Sequence, residues 1–597
     1  MMPDLFQLYS SRIESFKKDL ATLRKEIFLI NSGRLIAFLI LAISPFKLYP
    51  VNHLLGIVVP LLFLIGFLIL VKRNSVVIEK KRFLENLICI NQNELDGLSH
   101  QFSMFADGSE FINPDHINSY DLDLFGKGSL FQFINRTVTL NGKKRLANLF
   151  ENPFTDRSKI TQRQELIAEL ASDYEWRQHF AATGMLYVDD ASETAVFEKW
   201  GREKYQLRLE KVVPVVLVIL PVISLLTILY WIFYGSAAPF IFSGIVQSIV
   251  WSVEKKNIQL IYAQFGKRAN RLSQSASLLE KIEKRNWQSS EGTSIVAELR
   301  NNGLPSQEVS KLKSIISAFD NRNNILVGLF LNLTCLWDVL CSYRLIRWNE
   351  RNRTNFQRWD SYISFFDAVS SFSNFAFNHP QYGYPGFSDR PFSIDAEALG
   401  HPLIRPEKRV TNDFLMKDPR QLVIVTGANM AGKSTFLRTV GVNMILAMNG
   451  APVCARQMTF TPVEVFSNMR TTDSLFDDES YFFAELKRLK SILEALQKGT
   501  PTLIILDEIL KGTNSVDKLA GSQKLLRKLI AQKTPAIIAT HDLKLTEMES
   551  EFPDLIQNSC FEIAIENDEM HFDYTLRAGV TQMMNATFLM RKMGIID

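Results

Sequence analysis

The chain has 597 residues, a length that predicts several domains rather than one. Its formal net charge of only +4, from 67 basic and 63 acidic residues, excludes a protein that binds polyanions through bulk positive charge alone. The five cysteines form no C-x-x-C pair, which predicts reduced thiols in a cytosolic compartment and excludes a disulfide-rich secreted fold.

The first 34 residues carry a heptad pattern of apolar side chains. The members of this stripe are spaced three and four residues apart: Ile13, Phe16, Leu20, Leu23, Ile27 and Ile30. Charged residues fill most of the remaining positions of the predicted helix. The pattern predicts a packing face, and a nucleic-acid-binding arm is the alternative.

Two pairs of apolar runs predict two membrane hairpins. The runs Leu35–Phe46 and Leu54–Val71 are joined by a polar turn, and Val212–Tyr234 and Ala237–Trp251 are joined by a short one. Basic residues flank the open ends of both pairs, so the positive-inside rule predicts four spans with both termini in the cytoplasm. A buried core hairpin is the alternative for the first pair.

A fifth apolar run, Ile325–Cys341, contains Asn332 and Asp338. A fifth span would place the C-terminal part of the chain outside the cell, where the phosphate-binding motif described next would meet no ATP. The run is therefore predicted to be a buried helix.

A phosphate-binding loop is predicted where an apolar strand pattern gives way to a helical pattern, because the sequence there fits G-x-x-x-x-G-K-[ST]. Its glycines let several backbone N–H groups face one phosphate chain. Lys433 reaches the β- and γ-phosphates, and the Ser434 hydroxyl binds Mg²⁺. The candidate nucleotide-binding residues are Gly427, Ala428, Asn429, Met430, Ala431, Gly432, Lys433, Ser434 and Thr435.

Two further apolar strands end in candidate catalytic residues. Thr502–Leu506 leads into Asp507, predicted to bind Mg²⁺ together with the loop serine, and Glu508, predicted to polarise the attacking water. Ala536–Thr540 ends at His541, which can sense the γ-phosphate, with a structural histidine as the alternative. Together with the loop, these strand ends predict a Mg²⁺-dependent nucleotide hydrolase.

The motifs resemble those of the MutS mismatch-repair ATPase family. TGANMAGKST resembles the family's phosphate loop, although Ala428 and Ala431 stand where Pro and Gly are usual. DDESYFFAELKRLKSIL is similar to its signature helix, with Ser480 as the signature serine, and LDEILKGTNSVD and ATHD resemble two later loops. GSLFQFINRTVTLNGKKRL resembles the start of the family's core, and Asn585–Gly594 resembles its C-terminal helical tail.

The resemblance implies an ABC-like ATPase that works as a homodimer. Ser480 of one subunit is expected to contact the γ-phosphate of the ATP held by Lys433 of the other. The implied catalytic set is Glu508, His541 and Ser480. In the family an aromatic residue before the loop stacks on adenine, and here Arg409 is the candidate at the corresponding place.

The predicted fold is an α/β P-loop, ABC-like ATPase domain at the C-terminus, preceded by an all-α MutS core and lever domain with transmembrane helical hairpins. The predicted divisions are an N-terminal amphipathic helix (1–34), a first transmembrane hairpin (35–71), a helical core (72–211), a second hairpin in the clamp position (212–252), a helical return (253–385) and the ATPase domain (386–597).

The sequence departs from the family where that family contacts DNA. A coiled helix and an apolar hairpin replace the mismatch-reading domain. Phe483-Ala484-Glu485 matches the family's Phe-x-Glu wedge by letters only, because it lies in the predicted signature helix. The second hairpin occupies the place of the DNA clamp.

Three functions remain open from the sequence. The first is a membrane-anchored MutS-family ATPase that engages DNA and is related to mismatch repair. The second is a membrane mechanochemical ATPase without nucleic acid, and the third is a transporter. The predicted location is the inner cell membrane, with several spans and the ATPase on the cytoplasmic side. The expected partners are a second copy of the chain, the lipid bilayer and DNA.

Overall fold

The structure is a computed structural model of the chain. It describes residues 4–187, 206–265, 269–301, 303–418, 421–470, 481–497, 499–510, 513–566, 569–582 and 596. Helices make up the first two thirds of the described chain, and two sheets with flanking helices make up the last third.

The described helical part contains thirteen α-helices. They are α1 Leu5–Leu48, α2 His53–Leu98, α3 Leu130–Ile134, α4 Leu140–Glu151, α5 Arg157–Ser172, α6 Tyr174–Gly184, α7 Val213–Tyr234, α8 Ala238–Phe265, α9 Ala269–Lys284, α10 Ser290–Arg300, α11 Pro305–Asp320, α12 Ile325–Cys335 and α13 Trp337–Asn378.

Helices α1 and α2 form a long antiparallel pair. The Asp4 side chain caps α1 by accepting from the backbone N–H of Phe6 at 3.0 Å, and Asn52 caps α2 after a short turn. Within the predicted heptad stripe, Ile13, Leu20 and Ile30 are buried, as expected of a packing face. Helix α1 continues without a break through residue 34, where the first predicted division lies.

Three described helices are long and apolar enough to cross a membrane: α1, α2 and α7. Helix α8, the predicted second leg of the later hairpin, is not among them, because polar residues such as Ser243 and Gln247 interrupt its apolar half. Helices α12 and α13 pass the same test only as a bent pair, with a change of direction of 77°.

The run Ile325–Cys341 is not the single buried helix that the sequence predicts. The helix breaks at Leu336, which has a left-handed backbone with φ of 49°. The side chains of Leu329 and Phe330 on α12 are exposed, whereas Leu336 is fully buried. The break separates an outward-facing apolar helix from the long helix α13.

Helix α13 is a long helix against which several other helices of the helical region pack. Its 42 residues span about 63 Å at 1.5 Å per residue. It packs against α4 and α5, and Asp367 of α13 accepts from the backbone N–H of Val138 and of Thr139, the latter at 2.9 Å. This carboxylate therefore holds the segment that precedes α4 against α13.

The C-terminal part contains ten described strands and four described α-helices. They are β1 Gly386–Phe387, β2 Ser393–Leu399, β3 Asn412–Lys417, β4 Leu422–Gly427, α14 Lys433–Met448, β5 Gln457–Phe460, β6 Glu464–Asn468, α15 Tyr481–Gln497, β7 Thr502–Asp507, α16 Ser515–Ala531, β8 Ala536–Ala539, α17 Met548–Glu551, β9 Ile556–Glu566 and β10 Glu569–Ala578.

These strands form a six-stranded sheet of order β10-β9-β4-β8-β7-β6 and a four-stranded sheet of order β1-β5-β2-β3. In the larger sheet only the β9–β10 pair is antiparallel. Strand β4 is buried along its whole length, which explains why its sequence is a continuous apolar run. Parallel strands bring their carboxyl ends to one edge, and the loops after them form the candidate site.

Candidate functional site

The register of the larger sheet brings three predicted strand ends side by side. Val425 of β4 pairs with Ala539 of β8, and Ala539 pairs with Asp507 of β7. The Glu508 N–H donates to the Ala539 carbonyl at 2.9 Å, which extends this alignment by one residue. The phosphate-loop motif, the two carboxylates and His541 therefore meet at one edge, as the apolar strand patterns predict.

The loop between β4 and α14 requires glycine at two positions. Gly427 has φ of 152°, and a Cβ there would lie 2.8 Å from the Phe561 carbonyl oxygen. Gly432 has φ of 109° and precedes the first helical residue, Lys433. Backbone N–H groups of the first turn of α14 have no carbonyl partner within the helix, so this end of the helix attracts anions.

The Lys433 side chain curls back onto its own loop. Its Nζ donates to the carbonyl oxygens of Gly427 at 2.8 Å and Ala428 at 3.0 Å. Burial lowers the pKa of Lys433 to about 8, against the opposing effect of Asp507 and Glu508. The ammonium is thus kept inside the loop by main-chain oxygens.

A short polar relay joins the lysine to the second carboxylate. Nε2 of His541 lies between the two charged groups, 3.2 Å from the Lys433 Nζ and 3.3 Å from Oε1 of Glu508. Burial first and Lys433 second hold the pKa of His541 below its usual range, which favours the neutral imidazole. Depending on its tautomer, Nε2 of a neutral imidazole accepts a hydrogen bond from Lys433 or donates one to Glu508.

The carboxylate Glu508 is held in an unusual backbone conformation. Its φ is 60°, in the left-handed region, and Oε2 lies 3.6 Å from the Lys518 Nζ on α16. Left-handed backbone costs a non-glycine residue about 1–2 kcal/mol, so neighbouring contacts must hold it there.

A cavity of about 550 Å³ opens at this edge. Nine of the predicted site residues line it: Asn429, Met430, Gly432, Lys433, Ser434, Thr435, Asp507, Glu508 and His541. Gly427, Ala428 and Ala431 form the buried side of the loop. The cavity is large enough for a small charged ligand, and basic, hydroxyl and carboxylate groups line it.

A residue that the sequence did not single out also lines the cavity, and it lies beside the phosphate loop, because a Cβ on Gly432 would be 3.1 Å from its ring. Tyr574 lines the cavity together with Val410 and Asn412. A bulge in the β9–β10 pairing gives Tyr574 a φ of 54°, and the Asn412 amide nitrogen donates to its carbonyl at 3.1 Å. The one available signal was an aromatic residue between two polar ones late in the sequence.

Arg409, the predicted adenine-stacking candidate, faces another way. Its guanidinium donates to the carbonyl oxygens of Ile404, at 2.6 Å and 3.0 Å, and Pro402, and it lies over the ring of Tyr382. The prediction is wrong because main-chain acceptors within its own loop bind the guanidinium. Val410, the next residue, lines the cavity instead.

Ser480 and the tail Asn585–Gly594 lie outside the described residues. Helix α15 begins directly after Ser480 and carries a buried carboxylate, Glu485. The Oε1 atom of Glu485 accepts from the Leu510 N–H at 2.6 Å. Leu510 lies two residues after Glu508, so this bond ties the predicted signature helix to the strand end that carries the second carboxylate.

A buried aspartate joins the helical core to the site. Oδ2 of Asp121 accepts from Nη2 of Arg488 on α15 at 2.8 Å and from the Ser467 hydroxyl at 2.9 Å. The main-chain carbonyl of Asp121 accepts from Nε of Arg438 on α14 at 3.0 Å. One short segment of the core therefore contacts both α14, whose first turn lines the cavity, and the predicted signature helix α15.

All five cysteines are free, as their spacing predicts. No group of three or more histidine, cysteine, aspartate or glutamate side chains suited to a metal ion occurs among the described residues.

Comparison with known proteins gives two regions of similarity. The family model described as MutS domain III matches residues 116–211, and the one described as MutS domain V matches residues 423–589. The DNA mismatch repair protein MutS of Thermotoga maritima is 30% identical over 235 residues, which is 38% of this chain and 29% of that protein. The MutS proteins of Thermotoga petrophila (31% over 235 residues, 38% and 29%) and Thermotoga sp. strain RQ2 (31% over 231 residues, 38% and 28%) are similar.

The chain spans less than a third of the length of these curated relatives. The domain V match covers the loop, the strand-end carboxylates and His541, and the domain III match covers the segment around Asp121. The chain is therefore a MutS-like protein, related to the mismatch repair family through its domains III and V.

Proposed function

We propose that this chain is a membrane-anchored MutS-family ATPase that binds and hydrolyses ATP in a site completed by a second copy of the chain. The observation that carries the proposal is the shared cavity of Lys433, Asp507, Glu508 and His541. A basic residue at a helix N-terminus beside two strand-end carboxylates suits a nucleotide phosphate chain and a hard cation.

The residues present fit ATP and Mg²⁺. The first turn of α14 and the ammonium of Lys433 bind the phosphate chain, after the lysine exchanges its main-chain acceptors for phosphate oxygens. The Ser434 hydroxyl and the Asp507 carboxylate are the oxygen donors for Mg²⁺, which neutralises phosphate charge when bound. The ring of Tyr574 and the side chain of Val410 provide an apolar surface for the base.

Catalysis in this proposal depends on three residues. Glu508 accepts the proton of the attacking water, and His541 orients Glu508 and responds to the γ-phosphate. Ser480 of the partner copy contacts that phosphate and makes the site composite. Hydrolysis opens the dimer and moves the helical region. In this proposal residues 386–597 act as the ATPase domain.

Two substitutions test the nucleotide site. Lys433→Ala should abolish binding of a fluorescent ATP analogue, because the phosphate chain loses its only cation from the loop. Lys528→Ala, on the exposed face of α16, is the matched control and should bind normally.

Glu508→Gln should bind ATP and Mg²⁺ but hydrolyse it at least about a hundredfold more slowly, since an amide is a poor proton acceptor. The loaded variant should accumulate as a dimer in size-exclusion chromatography with light scattering. Normal phosphate release by Glu508→Gln would remove Glu508 from the catalytic role.

DNA is the substrate partner that the relatives suggest, since their name is DNA mismatch repair protein. The second candidate is a membrane mechanochemical ATPase without nucleic acid, and the apolar surface of α7 favours it, because that helix occupies the predicted clamp position. Binding to duplex and branched DNA measured from 50 to 200 mM salt separates them. Affinity that falls steeply with salt supports DNA binding, and no binding at 50 mM salt supports the second candidate.

The membrane location rests on the outward-facing apolar surfaces of α1, α2 and α7. Helix α7 has 22 residues, about 33 Å, which matches the hydrocarbon thickness of a bilayer. Its exposed side chains include Val218, Ile232 and Phe233. Reporter tags at Gly235 and at the C-terminus should report opposite sides of the inner membrane, with the C-terminal ATPase in the cytoplasm. Two cytoplasmic tags would contradict the hairpin.

A further inference from the structure

Helices α7, α8 and α12 pack with their polar side chains turned toward one another. Ser224 of α7 and Ser243 of α8 are buried, with their hydroxyl oxygens 2.7 Å apart. The amide nitrogen of Gln247, which is fully buried, donates to the Ser224 hydroxyl and to the Thr334 carbonyl on α12 at 3.3 Å. Hydrogen bonds inside the bundle therefore connect all three helices.

A buried charge pair continues this polar interior at the start of α13. Asp338 is 1% exposed, and its Oδ2 lies 3.4 Å from Nη2 of Arg322. The same oxygen accepts from the Trp251 indole N–H on α8 at 3.2 Å. An aspartate inside a bundle of apolar helices requires such partners, because an unpaired carboxylate there is costly.

The outer face of the same bundle is apolar. Val327, Leu329 and Phe330 of α12 are 43%, 49% and 60% exposed. The other two helices also expose apolar side chains, which include Val215, Val218, Ile219, Val222, Ile241, Phe242, Ile245 and Ile249. Residues 325–335 contain no charged side chain. Water favours polar groups outside and apolar groups inside, so this inverted arrangement matches a lipid surrounding.

Helix α12 is too short to cross a bilayer. Its 11 residues span about 16 Å, roughly half of a hydrocarbon core. The chain then turns through 77° at Leu336 and continues as α13, away from the bundle. The Asp338 N–H, at the new helix start, donates to Oδ1 of Asn332 at 3.0 Å. Because Leu336 is fully buried, the irregular backbone is enclosed by protein, as a bilayer requires.

We infer that α12 and the first turn of α13 form a re-entrant membrane element whose outer face, Val327, Leu329 and Phe330, contacts lipid acyl chains. The element enters the bilayer and returns to the same side, so the ATPase stays on the cytoplasmic face without a further span. It brings the Arg322–Asp338 charge pair against the second hairpin. This inference rests on the membrane anchoring proposed above and adds a third element to it.

The test places a bimane fluorophore at single cysteines of the full-length protein in phosphatidylcholine vesicles with brominated acyl chains. Cys89 and Cys335 are replaced by serine, since the other three native thiols are buried. Phe330→Cys reports α12. Phe233→Cys, at the end of α7, is the reference for a hairpin in lipid, and Val516→Cys, exposed on α16, is the aqueous reference. Binding of a fluorescent ATP analogue verifies that each labelled protein is folded.

Bromine quenches bimane only when the two are in contact within the bilayer. The inference expects position 330 to lose fluorescence to an extent similar to position 233, while position 516 keeps its fluorescence. Quenching at 233 without quenching at 330 would overturn the re-entrant element and leave the anchoring intact. Full fluorescence at both 233 and 330 would overturn the anchoring itself.

Discussion

Replacing Glu485 by alanine should slow ATP hydrolysis without weakening nucleotide binding. The buried carboxylate accepts from the Leu510 N–H at 2.6 Å, and both Leu510 and Glu508 have left-handed backbones, with φ of 58° and 60°. Alanine removes the acceptor and leaves a buried N–H unpaired, which costs about 1–3 kcal/mol. If this bond holds Glu508 and Leu510 in their left-handed conformation, and hydrolysis requires that conformation, its population falls by about 5-fold to about 140-fold in the variant.

Glu485→Gln is the matched control, because its amide oxygen can still accept from the Leu510 N–H. A neutral acceptor gives roughly half the strength of a charged one, so this variant should fall between wild type and Glu485→Ala. The assay is kcat from phosphate release, together with the affinity for a fluorescent ATP analogue. Wild-type turnover by Glu485→Ala would refute the reasoning, and so would a loss of affinity as large as the loss of rate.

The pH dependence of nucleotide affinity follows from Lys433. Burial lowers its pKa to about 8 in the absence of ligand, and phosphate favours the protonated form. Affinity should therefore be constant below about pH 7 and fall by up to about tenfold per pH unit above pH 8, in titrations at fixed ionic strength, whereas flat affinity to pH 9.5 would contradict it. Tyr574→Ala should weaken nucleotide binding by about 5-fold to 100-fold if its ring stacks on the base, with Tyr574→Phe unchanged. Asp121→Asn should lower the free energy of unfolding by about 3 kcal/mol, seen as a lower first thermal transition, because Arg488 loses its buried carboxylate. Asp123→Asn, on a half-exposed ion pair, should cost no more than about 1 kcal/mol, and equal effects of the two would contradict the assignment.

The candidate site was predictable because its parts lie at the ends of parallel strands. Each apolar run indicated a buried strand, and parallel strands in one sheet must present their carboxyl ends at a common edge. Lys433, Asp507 and His541 could therefore be placed together from sequence alone. The same reasoning does not find Tyr574, because a bulge in an antiparallel pair brings it to the cavity from a strand that follows the motifs by many residues.

The apolar helices were predictable from the sequence, but the way they pack together was not. The break at Leu336 has no glycine or proline to signal it. Burial of the Leu336 side chain, and the Asn332 side chain that accepts from the Asp338 N–H, stabilise the break instead. The run Ile325–Cys341 therefore resembles one buried helix in sequence. Gln247 likewise has no partner nearby in sequence, and its bond to the Thr334 carbonyl bridges 87 residues.

Helix α13 begins at the polar interior beside α8 and ends at Asn378, where the Tyr9 hydroxyl donates to the Asn378 side chain at 2.6 Å. A long helix held at both ends transmits a shift at one end to the other, and the next element after α13 is β1 of the C-terminal part. In the proposed function, ATP binding shifts the end of α13 that lies against the membrane helices. Coupling free energies are reciprocal, so the bilayer then changes ATP affinity by the same factor. Lipid thickness and lateral tension should thereby change the nucleotide affinity of the proposed ATPase, and nucleotide affinity in vesicles of different chain length measures this effect.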